Sequence, residues 1–233
     1  LAIENATVFL QTNVLGTHSL LEAARKNDVK KFLCISTDEV YGHILDGSFV
    51  ESDTLNPRNP YAASKVGSER LAYSYSQTYG MHILVTRSSN NFGPFQFPEK
   101  MLPLFVTNLI RGKKVPVYGD GMNVRDWLYV EDNCRGVDLV LQKGKSGEVY
   151  NISGEQEMPN LDIIRMILKK MGKGEEMIQF VEDRKGHDRR YSINASKIKA
   201  LGFKHSKPFA QQLHDTIEWY QQNEWWWKPL VKN

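Results

Sequence analysis

From Val8 to Ala24, apolar residues recur at helical spacing (Val8, Leu10, Val14, Leu15, Leu20, Leu21, Ala24), and the polar stretch Arg25 to Lys31 closes the segment. The period then changes. Phe32 to Ser36 is a short apolar run, the pattern of a strand covered on both faces. A loop rich in Gly, Asp, Ser, Asn and Pro spans 42–60. Tyr61 to Tyr79 reads as a helix with Gly80 as its C-cap. Ile83 to Thr86 is the next strand, and Met101 to Ile110 a helix closed by Gly112. Helices alternating with buried strands predict a parallel sheet with helical crossovers.

The second half is less regular. Short strands are expected at Val115 to Tyr118, Trp127 to Val130, Glu148 to Ile152 and Met177 to Val181. Helices are expected at Asp132 to Leu141, Leu161 to Met171 and Phe209 to Asn223. This pattern predicts a smaller α/β lobe interleaved with the sheet domain. The run Trp225, Trp226, Trp227 is expected to pack the last helix against that lobe or to form a contact between subunits.

Composition narrows the classes. A chain of 233 residues, 41% hydrophobic, can build one large core or two small ones. A net charge of +3 is too small for a general nucleic-acid binder. No apolar run reaches bilayer-spanning length, and no basic start leads into an apolar block, so neither a membrane anchor nor a signal peptide is expected. Cys34 and Cys134 are far apart and do not cluster with histidines. That argues against a disulfide framework or a zinc site and makes a reducing cytoplasm the default.

The strongest chemical signal is Tyr61-Ala-Ala-Ser-Lys65, two side chains four apart on one helix face. A nearby ammonium favours the phenolate, so Lys65 is expected to lower the Tyr61 pKa. Such a tyrosine can take a proton from a hydroxyl while hydride leaves the same carbon. A surface helix holding the pair by chance is the alternative. Thr37 falls at the carboxyl end of the Phe32 strand, and Ser89, Asn90 and Asn91 follow the next one. In open α/β sheets, ligands sit at such ends. Asp38 and Glu39 would point to opposite faces of an extended strand. The strand must therefore stop near Thr37 if both acids are to reach one substrate. Two carboxyl groups in a closed site can divide into an acid and a base; otherwise both acids face solvent.

The order STDEVYG, PYAASK, SSNNFGP resembles the extended short-chain dehydrogenase/reductase group. Within it, the Thr-Asp-Glu triplet is similar to that of the dTDP-glucose 4,6-dehydratases. The resemblance runs on through FPEKMLPLF, PVYGDG, VRDWLYVED, YNISG and DRKGHDRRY. It implies a Rossmann-like domain from 1–95 and roughly 123–153, and a nucleotide-sugar lobe from roughly 96–122 and 154–233. It implies NAD as cofactor, a dTDP-hexose as substrate and a homodimer built on the Val8–Ala24 and Tyr61 helices. Tyr61 would be the base at the C4 hydroxyl, Thr37 would bond near that oxygen, and Lys65 and Asn90 would join Tyr61 in holding the cofactor. Glu39 would remove the C5 proton, and Asp38 would protonate the hydroxyl leaving C6. Related epimerases and decarboxylases do not need that acid pair. Asn91, Lys100, Met101, Pro116, Tyr118, Arg125, Asn160, Arg184 and His187 fall where the family holds the nucleotide sugar. Arg189 and Arg190 are left as ion-pair candidates, and position 185 is Lys where the family commonly has Pro.

The family opens with a strand and a G-x-x-G-x-x-G turn that holds the cofactor pyrophosphate at a helix N-terminus. No such turn occurs among these residues. The chain is therefore expected to lack an N-terminal part, and to bind NAD weakly or not at all by itself. A non-catalytic nucleotide-sugar module, or a related nucleotide-sugar epimerase or decarboxylase, is the competing reading.

Overall fold

The computed structural model describes residues 5–183 and 188–231. In chain order its elements are α1 (Ala6–Phe9), a π-helical stretch (Leu10–Leu15), α2 (Gly16–Lys26), β1 (Phe32–Thr37), a 3-10 turn (Asp38–Tyr41), α3 (Pro60–Tyr79), β2 (Ile83–Ser88) and β3 (Asn90–Phe92). There follow α4 (Met101–Ile110), β4 (Val115–Tyr118), β5 (Val124–Tyr129), α5 (Val130–Lys143), β6 (Val149–Ile152) and β7 (Glu157–Pro159). The last are α6 (Asn160–Lys170), β8 (Ile178–Val181), α7 (Ser196–Ala200), α8 (Phe209–Gln222) and α9 (Glu224–Trp227).

Two compact units emerge. The first comprises residues 1–89, 133–153 and 190–204. Its sheet is parallel, in the order β1-β2-β6. The register sets Ser36, Arg87 and Asn151 on one rung and Thr37, Ser88 and Ile152 on the next. Every residue of β2 is buried, as a central strand covered on both faces requires. Among the described residues, β1 pairs on one side only, with β2.

Local chemistry fixes α3. Asn59 accepts the Ala62 N–H (2.8 Å), Pro60 occupies the first turn, and Gly80 (φ +66) ends the helix in the left-handed region. One face of α3 meets the N-terminal helices, where Asn13 Nδ2 donates to Ser64 Oγ (2.9 Å) and Ser68 Oγ donates to the Asn13 carbonyl (2.6 Å). Leu21, Cys34, Ala72, Tyr75, Ile83 and Val85 form the core there. Each fully buried side chain of Leu or Ile size contributes about 1.5–3 kcal/mol.

The second unit comprises residues 90–132, 154–189 and 205–233. In it β3 pairs parallel with β5, β5 antiparallel with β7, and β4 parallel with β8. Phe92, Phe105, Trp127, Ile163 and Ile217 centre its core. The three tail tryptophans have separate fates. Trp227 is fully buried and donates Nε1–H to the Tyr220 carbonyl (2.7 Å). Trp226 packs edge-on to Trp219, and Trp225 is 69% exposed.

β1 stops at Thr37, as the acid pair required. β5 starts three residues before Trp127 because Val124, Arg125 and Asp126 pair with β7. At three residues each, β3 and β7 are too short to show a period. Residues 90–95 and 123–132 fall in the second unit, and 190–204 in the first. Among the described residues, no helix is long and apolar enough to cross a membrane.

Candidate active site

Thr37 is the last residue of β1 and the N-cap of the turn that follows. Its Oγ accepts the Glu39 N–H (3.3 Å) and donates to Asp38 Oδ1 (3.2 Å). The 3-10 turn closes on Gly42, whose φ of +85 suits glycine; a Cβ there would run into the Asn56 carbonyl. This tight turn, rather than a continued strand, keeps Asp38 and Glu39 beside Thr37. Glu39 Oε2 accepts from Asn59 Nδ2 (2.9 Å), and Asn59 also caps α3. One side chain therefore ties the carboxylate turn to the helix end that carries Tyr61.

The Tyr61 phenol lies near the Thr37 hydroxyl and within the field of Glu39 and Asp38. Burial pushes its pKa up to about 12; the two carboxylates add to the rise and the Thr37 hydroxyl offsets part of it. Phe9 stands edge-on to the ring at 5.8 Å, a contact that the sequence did not announce. The expectation that Lys65 lowers this pKa is corrected. Lys65 Nζ donates to the Ile35 carbonyl of β1 (2.6 Å), and the phenol's pKa is raised rather than lowered. Shared helix face did not mean shared contact, because the strand backbone claims the ammonium. An ammonium has three donors, so Lys65 keeps two with which to hold a ribose hydroxyl. The pair thus fits the ribose and nicotinamide end of NAD.

In the second unit, Asn90 and Asn91 lie in β3 opposite Trp127 and Leu128, and the Asn91 carbonyl accepts from Gln96 Nε2 (2.8 Å). Lys100 precedes α4 and is exposed, while Met101 opens α4 and packs on the core. Pro116 and Tyr118 sit in β4 opposite Gln179 and Val181. Arg125 is buried, with its guanidinium donating to the carbonyls of Val124 (2.7 Å) and Asp188 (2.8 Å). Asn160 opens α6; its Oδ1 is buried with no hydrogen-bond donor among the described residues, an acceptor left for a ligand. Arg184 and His187 lie outside the described residues, as does position 185. Arg189 pairs with Asp120 (2.9 Å) and holds that carboxyl down to about 2. In the first unit, Arg190 donates to the Leu45 and Gly47 carbonyls (3.1 and 2.9 Å).

Known proteins resemble this chain over nearly all of its length. The dTDP-glucose 4,6-dehydratase of Streptomyces antibioticus is 50% identical over 232 residues, spanning 99% of this chain and 69% of that protein. The low-salt glycan biosynthesis protein Agl12 of Haloferax volcanii is 51% identical over 219 residues, 94% of this chain and 71% of the relative. The crystal structure of the Streptomyces venezuelae dTDP-glucose 4,6-dehydratase DesIV, with NAD bound, superposes with a TM-score of 0.97 at 47% identity, covering 99% of this chain and 72% of that one. The family model described as GDP-mannose 4,6 dehydratase matches residues 1–216, so the Thr37–Glu39 turn and the Tyr61 helix stand within a chain that belongs to that family.

Proposed function

We propose that the protein dehydrates dTDP-glucose to the 4-keto-6-deoxy sugar nucleotide. The observation that carries this reading is the tight turn that keeps Thr37, Asp38 and Glu39 together and is tied through Asn59 to the α3 end that carries Tyr61. Relatives near 50% identity that bear the dehydratase name support it. NAD, when bound, supplies the hydride acceptor for C4 and the hydride donor for C6. Tyr61, as the phenolate, takes the C4 hydroxyl proton and becomes the phenol, with the Thr37 hydroxyl bonding near the same sugar oxygen. The C4 ketone acidifies the proton at C5, which Glu39 removes. Asp38, buried at the head of the turn, protonates the hydroxyl that leaves C6 as water. The high pKa that burial gives Tyr61 keeps the proton taken from C4 on the phenol until it is returned as the cycle closes.

The second unit then binds the nucleotide through Asn91, Lys100, Met101, Pro116, Tyr118, Arg125 and Asn160, with Arg184 and His187 joining them by family position. Asn90 and Lys65 complete the cofactor set. A homodimer built on the N-terminal helices and α3 accounts for exposed Leu15, Leu20, Tyr73 and Tyr79. The protein is expected to work in the cytoplasm. Incubation with NAD and dTDP-glucose should yield a product lighter by one water. A product of unchanged mass supports an epimerase instead, and no product from any nucleotide hexose overturns the reading.

A further inference from the structure

The acid–base residues of the first unit sit on two segments, the Asp38–Tyr41 turn and α3. Beneath them is a buried ionic cluster that the chemistry above does not use. Arg87, in the middle strand β2, is 1% exposed. Its Nε and Nη2 donate to the carboxylate of Glu69 (3.1 and 2.6 Å), which is equally buried. Glu69 lies on α3 one turn past Lys65 and two past Tyr61. The remaining arm, Nη1, donates to the Tyr41 hydroxyl (2.7 Å), and the guanidinium carbon stands 4.7 Å from that ring's centre. Tyr41 is the last residue of the carboxylate turn. Its hydroxyl donates in turn to Asn151 Oδ1 (2.8 Å) in β6, on the same sheet rung as Arg87. Asn151 is itself fixed, its N–H donating to Glu51 Oε1 (2.9 Å).

A buried ion pair is weak evidence for stability, because desolvation offsets most of its attraction. A planar fork with five donors is instead suited to fixing geometry. Here one fork grips the two segments whose separation sets the distance from the Glu39 and Asp38 carboxyls to the Tyr61 phenol. We propose that Arg87 is a positioning residue: with Tyr41 and Glu69 as its two grips, it sets the spacing between the carboxylate turn and the Tyr61 helix. It acts through those residues and touches no substrate. Misplacement of reacting groups by about 1 Å can cost roughly a hundredfold in rate, so a side chain remote from the sugar can govern turnover.

The inference rests on the dehydratase reading only for its kinetic consequence. Tyr41→Phe keeps the ring against Phe49 and removes the hydroxyl that joins Arg87 to Asn151. Hydrogen exchange should quicken in residues 38–42 while α3, still held by the Arg87–Glu69 pair, keeps its protection. With NAD and dTDP-glucose, KM should stay within about twofold while kcat falls roughly tenfold or more. The loss should fall on elimination, so reduced nicotinamide should build up and show by its absorbance. Asn151→Ala, which removes only the acceptor of the Tyr41 hydroxyl, should give a weaker version of both effects and serves if Tyr41→Phe does not fold. Unchanged exchange in residues 38–42, or unchanged kcat without that build-up in an active protein, overturns the proposal. If wild-type protein makes no dehydrated product, the dehydratase reading fails and the exchange measurement alone decides whether the grip exists.

Discussion

Replacing Glu39 with Gln should lower the pKa of Tyr61. The rise from 10.0 to about 12 represents roughly 3 kcal/mol against the phenolate, at about 1.4 kcal/mol per pH unit. Burial is the largest cause and survives the substitution; the Glu39 charge comes next, ahead of Asp38. Gln is nearly isosteric, and its amide oxygen can still accept from Asn59 Nδ2, so the turn keeps its anchor. The expected fall is therefore less than about one pH unit, with Asp38→Asn giving a smaller one. Carbon-13 tyrosine NMR provides the assay, with the Tyr61 resonance identified by its loss in Tyr61→Phe. A raised folded-state pKa means that this residue's contribution to stability is intact below pH 10 and is lost as pH climbs through about 12. Glu39→Gln should narrow that alkaline window from above. A titration that stays put, moves upward, or responds more to Asp38→Asn than to Glu39→Gln would refute the assigned electrostatics.

Two further outcomes follow from the geometry. Gly42→Ala forces a Cβ toward the Asn56 carbonyl at a φ of +85, so it should cost on the order of 1–3 kcal/mol in denaturant melts and slow turnover with little change in KM. Trp227→Ala empties a fully buried indole site and should cost about 3–5 kcal/mol, whereas Trp225→Ala, at 69% exposure, should stay within about 0.5 kcal/mol of wild type; similar melting losses from both would contradict the packing described.

Much of this arrangement was legible in the residues themselves. The Phe32 run announced a strand, though not one covered on both faces, since Ile35 is exposed; adjacency of Asp38 and Glu39 demanded that it end at Thr37, which it does. Gly80 marked the end of α3, and its start lies one residue before Tyr61, where Asn59 caps and Pro60 opens the helix. What escaped was decided by partners distant in sequence. The start of β5 depends on β7, thirty residues on, and spacing alone could not tell that Lys65 would spend its charge on the Ile35 carbonyl. The grip of Arg87 is of the same kind: VTRSS reads as strand, and only the sheet register brings Tyr41, Glu69 and Asn151 around it. No local signal distinguishes the π-helical stretch at Leu10–Leu15 from the α-helix that periodicity predicts.

The interleaving of the two units has a consequence for biosynthesis. Six segments alternate between them, so the chain crosses from one to the other five times. Neither unit is a contiguous stretch, and no single truncation isolates either. The first unit takes Ile193 into the cluster around Val40 and Tyr41 and pairs it with Phe49. A ribosome must therefore deliver residues 190–204 before the apolar cluster around Val40 and Tyr41 can close. Until then its apolar lining stays open to solvent, so nascent chains stalled short of Ile193 should depend on chaperones.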